Sequence, residues 1–106
     1  MSTDYVIVFV TTKDKAEAEK IAQALLQEKL IACANVISPV KSCFHWLGKI
    51  DAAEECLIMM KSRASLFLEI ESRVKALHSY EVPEVLAVSI IAGSAGYLGW
   101  MDGVLR

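Results

Sequence analysis

The sequence predicts an α+β fold of the ferredoxin-like type, a β-α-β-β-α-β sandwich closed by a short C-terminal helix. Two stretches place apolar residues at helical spacing, and several others read as strands. The two middle strands are separated only by a tight turn around Gly48, which leaves no room for a helix. With 106 residues, 55% of them apolar, the chain (1-106) has the length of one domain and enough apolar side chains for one core. No linker, low-complexity tract or charge block divides it.

Tyr5 to Thr11 is an unbroken run of β-branched and aromatic residues, as in a strand buried on both faces. Asp14 with Glu17 three residues later reads as a capping-box-like start. Ala18, Ile21, Ala22, Leu25 and Leu26 then predict a helix from about Lys15 to Lys29. An extended segment follows from Cys33 to Leu47. After Pro39 it alternates, with Val40, Phe44 and Trp46 on one side and Lys41, Cys43 and His45 on the other. Pro39 predicts a bulge or bend within this arm. Gly48-Lys49 offers a turn with glycine first, of type II′, and the return strand runs from Ile50 to Lys61. Leu66, Phe67, Ile70, Val74 and Leu77 predict a second amphipathic helix ending near His78, followed by a strand from Val85 to Ile91. The tail from Ser94 to Arg106 spaces Tyr97, Trp100, Met101 and Val104 as a helix would, but three glycines weaken it, so it needs a surface to dock on.

Two helices cover one face of a four-stranded sheet, yet the strands are apolar on both. A bare face would leave ~8–10 large side chains wet, each forgoing ~1.5–3 kcal/mol of burial, and such a patch exceeds what soluble monomers tolerate. Self-association through the sheets is therefore expected. The long arm points the same way, because Phe44 and Trp46 near its tip would otherwise stand in water.

Composition excludes several roles. A formal net charge of −2 and a pI near 5.6, with no basic stripe, argue against nucleic-acid binding by phosphate neutralisation. The apolar runs fall far short of the ~20 residues of a membrane span, and no leader pattern opens the sequence, so no membrane association and a cytoplasmic location are expected. Cys33, Cys43 and Cys56 lack the spacing of a disulfide framework or a structural zinc site.

The richest chemistry lies in His78-Ser79-Tyr80-Glu81-Val82-Pro83-Glu84, a stiff corner between the second helix and the last strand. Pro83 pushes Val82 toward an extended conformation and brings His78, Tyr80 and Glu84 together. Cys33, Glu55 and Lys61 extend this cluster. A second grouping follows from a Gly48-Lys49 turn, which would set Cys43 opposite Glu54 and gather Cys43, His45, Glu54 and Cys56 as ligands for copper or zinc. No Ser-centred elbow, phosphate-cradling glycine loop or H-E-x-x-H pattern occurs, and no enzyme is expected.

Glu28-Lys29-Leu30-Ile31-Ala32-Cys33-Ala34-Asn35, Phe44-His45-Trp46-Leu47-Gly48, Glu55, Lys61-Ser62, His78 to Glu84 and Tyr97-Leu98-Gly99-Trp100, in this order, resemble the CutA1 divalent-cation tolerance proteins over nearly the whole chain. The resemblance implies a ferredoxin-like homotrimer, similar in architecture to PII signalling proteins, and an association with tolerance to copper and other divalent cations. It also implies an intersubunit pocket, mapped here onto Cys33, Trp46, Glu55, Lys61, His78, Tyr80 and Glu84. His78 and Cys33 are the expected metal-binding residues, with copper or another divalent cation as ligand and no obligatory cofactor. Phe44 and Ser79 depart from the family's usual Tyr and Pro. Val10 replaces a cysteine found in some members, so a copper mode resting on that thiol is not expected. The competing expectation is a PII-like sensor that binds a small anionic ligand near Lys61.

Overall fold

The computed structural model describes residues 3–106. Strand β1 (Tyr5–Thr12), helix α1 (Lys15–Gln27), strands β2 (Cys33–Trp46) and β3 (Lys49–Arg63), helix α2 (Phe67–Leu77, entered through a 3-10 turn), strand β4 (Val85–Ser89) and helix α3 (Ala95–Val104) follow in order. The strands form one antiparallel sheet of order β2-β3-β1-β4. Every predicted element is present. The last strand stops at Ser89, two residues before the predicted end, and beyond it the Ile90 N–H still bonds the carbonyl of Tyr5, the first residue of β1, at 3.0 Å.

Alternation along the strands divides the sheet into two faces. Val6, Val8 and Val10 of β1 and Cys56, Ile58 and Met60 of β3 point under the helices, where Ile21 and Leu25 of α1 and Ile70 and Val74 of α2 complete a buried core. The opposite face carries Ile7, Phe9, Leu57, Met59, Leu86 and Val88 in mutual register, and Leu86 and Val88 are exposed. Helix α3 closes the sheet end where β1 begins. The Tyr5 hydroxyl donates to Asp102 at 2.7 Å, Arg63 pairs with Asp102 at 3.2 Å, and Met101 and Leu105 enter the core. This docking supplies the surface that its glycines require.

Helix α1 begins as expected, with the Asp14 side chain accepting the Glu17 N–H at 2.8 Å. It ends two residues early, at Gln27. Lys29 adopts a left-handed φ of 58°, the Leu30 N–H returns to the Leu25 carbonyl and the Lys29 N–H to that of Leu26. These bonds make a Schellman motif with lysine in the position that glycine favours.

The arm differs from expectation in its turn. Trp46 pairs with Lys49, so the loop is Leu47-Gly48, with φ of 51° and 76°. Positive φ at both positions is type I′, whose twist matches the flanking strands. The predicted bulge is present: one extra residue of β2 intervenes between Ile37 and Val40. It reverses the facing of everything beyond it. Ile37 faces the open side with Leu57, and after the bulge Val40 does so with Glu55, so Phe44 and Trp46 come to share a face with Asp51 and Glu55.

Candidate functional site

The end of the sheet opposite α3 gathers the arm, the start of β4 and the corner from His78 to Glu84. His78 follows the last turn of α2, and its side chain is fully buried. Its Nε2 lies 2.7 Å from the Thr11 carbonyl and its Nδ1 accepts the Tyr80 N–H at 3.0 Å. A carbonyl only accepts, so the proton resides on Nε2 and the ring is the neutral tautomer. Both nitrogens are thus engaged inside the protein, and a metal would displace one of these bonds. The ring also packs on Tyr80, with centroids 4.8 Å apart, which fixes the phenol's direction.

That phenol donates 2.7 Å to Glu55 Oε2. Glu55 is only 9% exposed, and this is its sole side-chain hydrogen bond among the described residues; no cation pairs with it there. Burial, with the bond to Glu55 second, pushes the Tyr80 hydroxyl up to about 12. Burial and then the Glu55 charge raise the Glu84 carboxyl above the ordinary range. Phe44, Trp46, Asp51, Glu81 and Val82 join Glu55 and Tyr80 around a hollow of about 540 Å³.

Of the seven pocket residues expected from sequence, Trp46, Glu55, His78, Tyr80 and Glu84 meet at this end. Cys33 and Lys61 do not. They oppose each other across β2 and β3, six residues from Glu55 along β3, or ~20 Å at strand rise. There Lys61 bonds the Asn35 side chain and Cys33 lies 3.3 Å from the Tyr97 hydroxyl, a bond that holds this phenol above its usual value. His78 and Cys33 therefore do not converge within one chain.

The hairpin-face grouping needs correction. With the turn one residue earlier, Cys43 faces Ala52 and Glu54 faces Lys41. Cys56 is buried beneath the helices while Cys43 is exposed. Among the described residues no three His, Cys, Asp or Glu side chains converge as metal ligands anywhere.

Glu17 escaped the sequence reading as a site residue. Its carboxylate does not close a capping box. Oε2 accepts the Ser79 N–H at 3.0 Å, and Oε1 lies 3.7 Å from His78 Nδ1, buried and without a hydrogen-bond donor. The available signal was its position: one turn before Ile21, an acid lies beside the apolar stripe of α1.

A family profile described as CutA1 divalent ion tolerance protein matches residues 6–104. The divalent-cation tolerance protein CutA of Archaeoglobus fulgidus is 43% identical over 90% of this chain and 92% of its own. The chloroplastic protein CutA of Arabidopsis thaliana is 38% identical over 95% of this chain, which spans 56% of that relative. A solved structure, described as the periplasmic divalent cation tolerance protein CutA from Archaeoglobus fulgidus, superposes with a TM-score of 0.93 at 40% identity, covering 96% of this chain and 99% of that one.

Proposed function

This chain belongs to the CutA1 divalent ion tolerance family, and on that footing we propose that it is a non-enzymatic homotrimer serving divalent-cation tolerance. Its cation site is the Glu55 hollow. The observation that carries the site is Glu55 itself, a carboxylate nine-tenths buried with no cation beside it, in a hollow bordered by Asp51 and Glu81. Burying an unpaired charge is costly, and a bound cation removes that cost. The name of the Archaeoglobus fulgidus relative refers to tolerance rather than to a reaction.

Assembly is supported by the uncovered face. Phe9, Leu57, Met59, Leu86 and Val88 line it without a covering helix, and a second and third copy would bury them. The same assembly would supply what one chain lacks. Since no three metal-ligating side chains converge among the described residues, a complete coordination sphere takes donors from another copy, and Cys33 and Lys61, distant within one chain, would approach the Glu55 hollow of a neighbour.

Sedimentation equilibrium should give three times the 11.7 kDa chain mass, and Leu86→Lys should shift it toward the monomer. Calorimetric titration with copper(II) should give a saturable heat that Glu55→Gln abolishes. A monomeric wild type, or identical isotherms for the two proteins, would refute the respective half of this reading.

One observation favours the PII-like alternative. Lys61 has no carboxylate partner among the described residues and is held by Asn35 alone, as a receptor for an anionic metabolite would be. A thermal-shift screen of carboxylates and nucleotides against wild type and Lys61→Met separates the two, because ligands that bind the native state raise its melting point.

For residence we propose the cytoplasm. All three cysteines are unbridged, which suits a reducing compartment. None of the described helices is long and apolar enough to cross a membrane.

A further inference from the structure

Strand β3 lays Glu55, Leu57, Met59 and Lys61 in succession along the open face, since every second residue points the same way. An acid and a base thus stand at opposite ends of an apolar stripe, ~20 Å apart at strand rise. They cannot meet within one chain, and among the described residues neither has a charged partner there. Glu55 is nine-tenths buried, and its Oε2 accepts from Tyr80, which leaves Oε1 for a second donor. Lys61 is held by the Asn35 side chain alone. An ammonium has three donors, so that bond leaves two for a carboxylate. Two other cations of this face are placed elsewhere: Arg63 pairs with Asp102, and Lys49 lies at the tip of the arm opposite Trp46.

This pattern selects among the ways in which open faces can pack together. Copies with β3 side by side and pointing the same way would set Glu55 against Glu55 and Lys61 against Lys61, and like charges shielded from water repel strongly. Copies set head to tail place the Lys61 of one on the Glu55 of the next, with Leu57 and Met59 between them. Repeated round a three-fold axis, the arrangement makes one such contact at each of three boundaries and leaves neither charge unpaired. The lysine stem suits the contact, because its methylenes lie along apolar surface while the ammonium reaches the carboxylate.

We infer that Lys61 of each copy seats on Glu55 of the next and is the pin that orders three chains head to tail. The inference rests on the assembly through the open faces. It names the group that neutralises Glu55 before a metal ion arrives, so an incoming cation must displace this ammonium.

The test is a double-mutant cycle on the full chain: wild type, Glu55→Gln, Lys61→Met and the pair, each read by sedimentation over a dilution series. Each single substitution strands the other charge at a dry boundary and should weaken association at least tenfold. The pair removes both charges and should lose no more than the worse single variant does. Losses that multiply in the pair would overturn the pin alone. A monomeric wild type would overturn the assembly reading and the pin together, so the two failures are distinguishable.

Charge exchange reads the arrangement a second way. Glu55→Lys and Lys61→Glu should each abolish trimers, and both in one chain should restore them. Mixed in equal amounts, the two single variants should recover only part of the wild-type affinity, since a ring of three leaves one boundary with like charges. Full recovery would indicate a two-membered ring and overturn the inference. If either exchange variant fails to fold by circular dichroism, the cycle of Glu55→Gln and Lys61→Met decides.

Copper(II) should bind Lys61→Met at least tenfold tighter than wild type, because no ammonium has to leave. Equal affinity would mean that Glu55 stands free in the assembly, and would overturn the pin. No heat in either protein, with a non-additive cycle, would remove the cation site and leave the pin standing.

Discussion

The Tyr80 hydroxyl donates a 2.7 Å hydrogen bond to Glu55 Oε2, joining the corner after α2 to the middle of β3 across 25 residues. Burial and this bond raise the phenol from 10.0 to about 12. A group whose folded value exceeds its unfolded one stabilises fully below the unfolded value, and that stabilisation disappears as pH rises through the folded one. The Tyr80 contribution should therefore be intact below pH 10 and vanish between pH 10 and about 12. Absorbance titration at the phenolate band should show a tyrosine near 12 in wild type whose titration is missing from Tyr80→Phe. At neutral pH, Tyr80→Phe leaves Glu55 without a donor and should destabilise by about 1–2 kcal/mol. An unchanged denaturation midpoint would show that the bond does not form in solution.

Lys29 closes α1 in a left-handed conformation at φ 58°, which costs a non-glycine residue ~1 kcal/mol. Lys29→Gly should stabilise the fold by about 0.5–1 kcal/mol, the relief of strain exceeding the added entropy of the unfolded chain. Lys29→Val, branched at Cβ, should destabilise. Urea midpoints compared at equal chain concentration decide; a drop for glycine contradicts the assigned geometry.

The same reasoning applies at the tip of the arm. Leu47 is 85% exposed at φ 51°, the first position of a type I′ turn, where asparagine followed by glycine is preferred. Leu47→Asn should raise stability by about 0.5–1 kcal/mol without altering the urea slope. If stability falls instead, the leucine side chain contributes a contact, as it would against another copy.

The strands and helices were legible because their cause is local. Val6, Val8 and Val10, or Ile21 and Leu25, repeat at a period that one stretch of sequence displays. The arm's alternation of Val40, Phe44 and Trp46 against Lys41, Cys43 and His45 was legible for the same reason. Its pairing was not. A turn at Leu47-Gly48 asks a leucine to take positive φ, which propensity argues against, and the twist of two long strands overrides that preference. One residue of displacement then moved Glu54 from Cys43 to Lys41. At the site, Tyr80, His78 and Glu84 were found because they are neighbours in sequence. Glu55 was grouped with them from the residues and Trp46 joined through the family resemblance, and their meeting with Tyr80 depends on a register that no single segment encodes. Cys33 and Lys61 stand apart within one chain for an equally nonlocal reason: strand pairing places them near the α3 end.

Glu17 and His78 provide the last test. Glu17 Oε1 is buried without a donor, 3.7 Å from a His78 Nδ1 whose lone pair already accepts the Tyr80 N–H. Two acceptors thus face each other, an arrangement that native interiors rarely leave uncompensated. Glu17→Gln keeps an oxygen for the Ser79 N–H and sets an uncharged amide N–H₂ beside Nδ1, removing both the buried charge and the repulsion between two acceptors. It should stabilise the fold by about 1 kcal/mol at neutral pH. Nitrogen-15 spectra should show His78 as the Nε2–H tautomer in both proteins. If Glu17→Gln instead destabilises and the wild-type ring carries protons on both nitrogens, the pair is a buried ion pair, and the Tyr80 N–H must bond elsewhere.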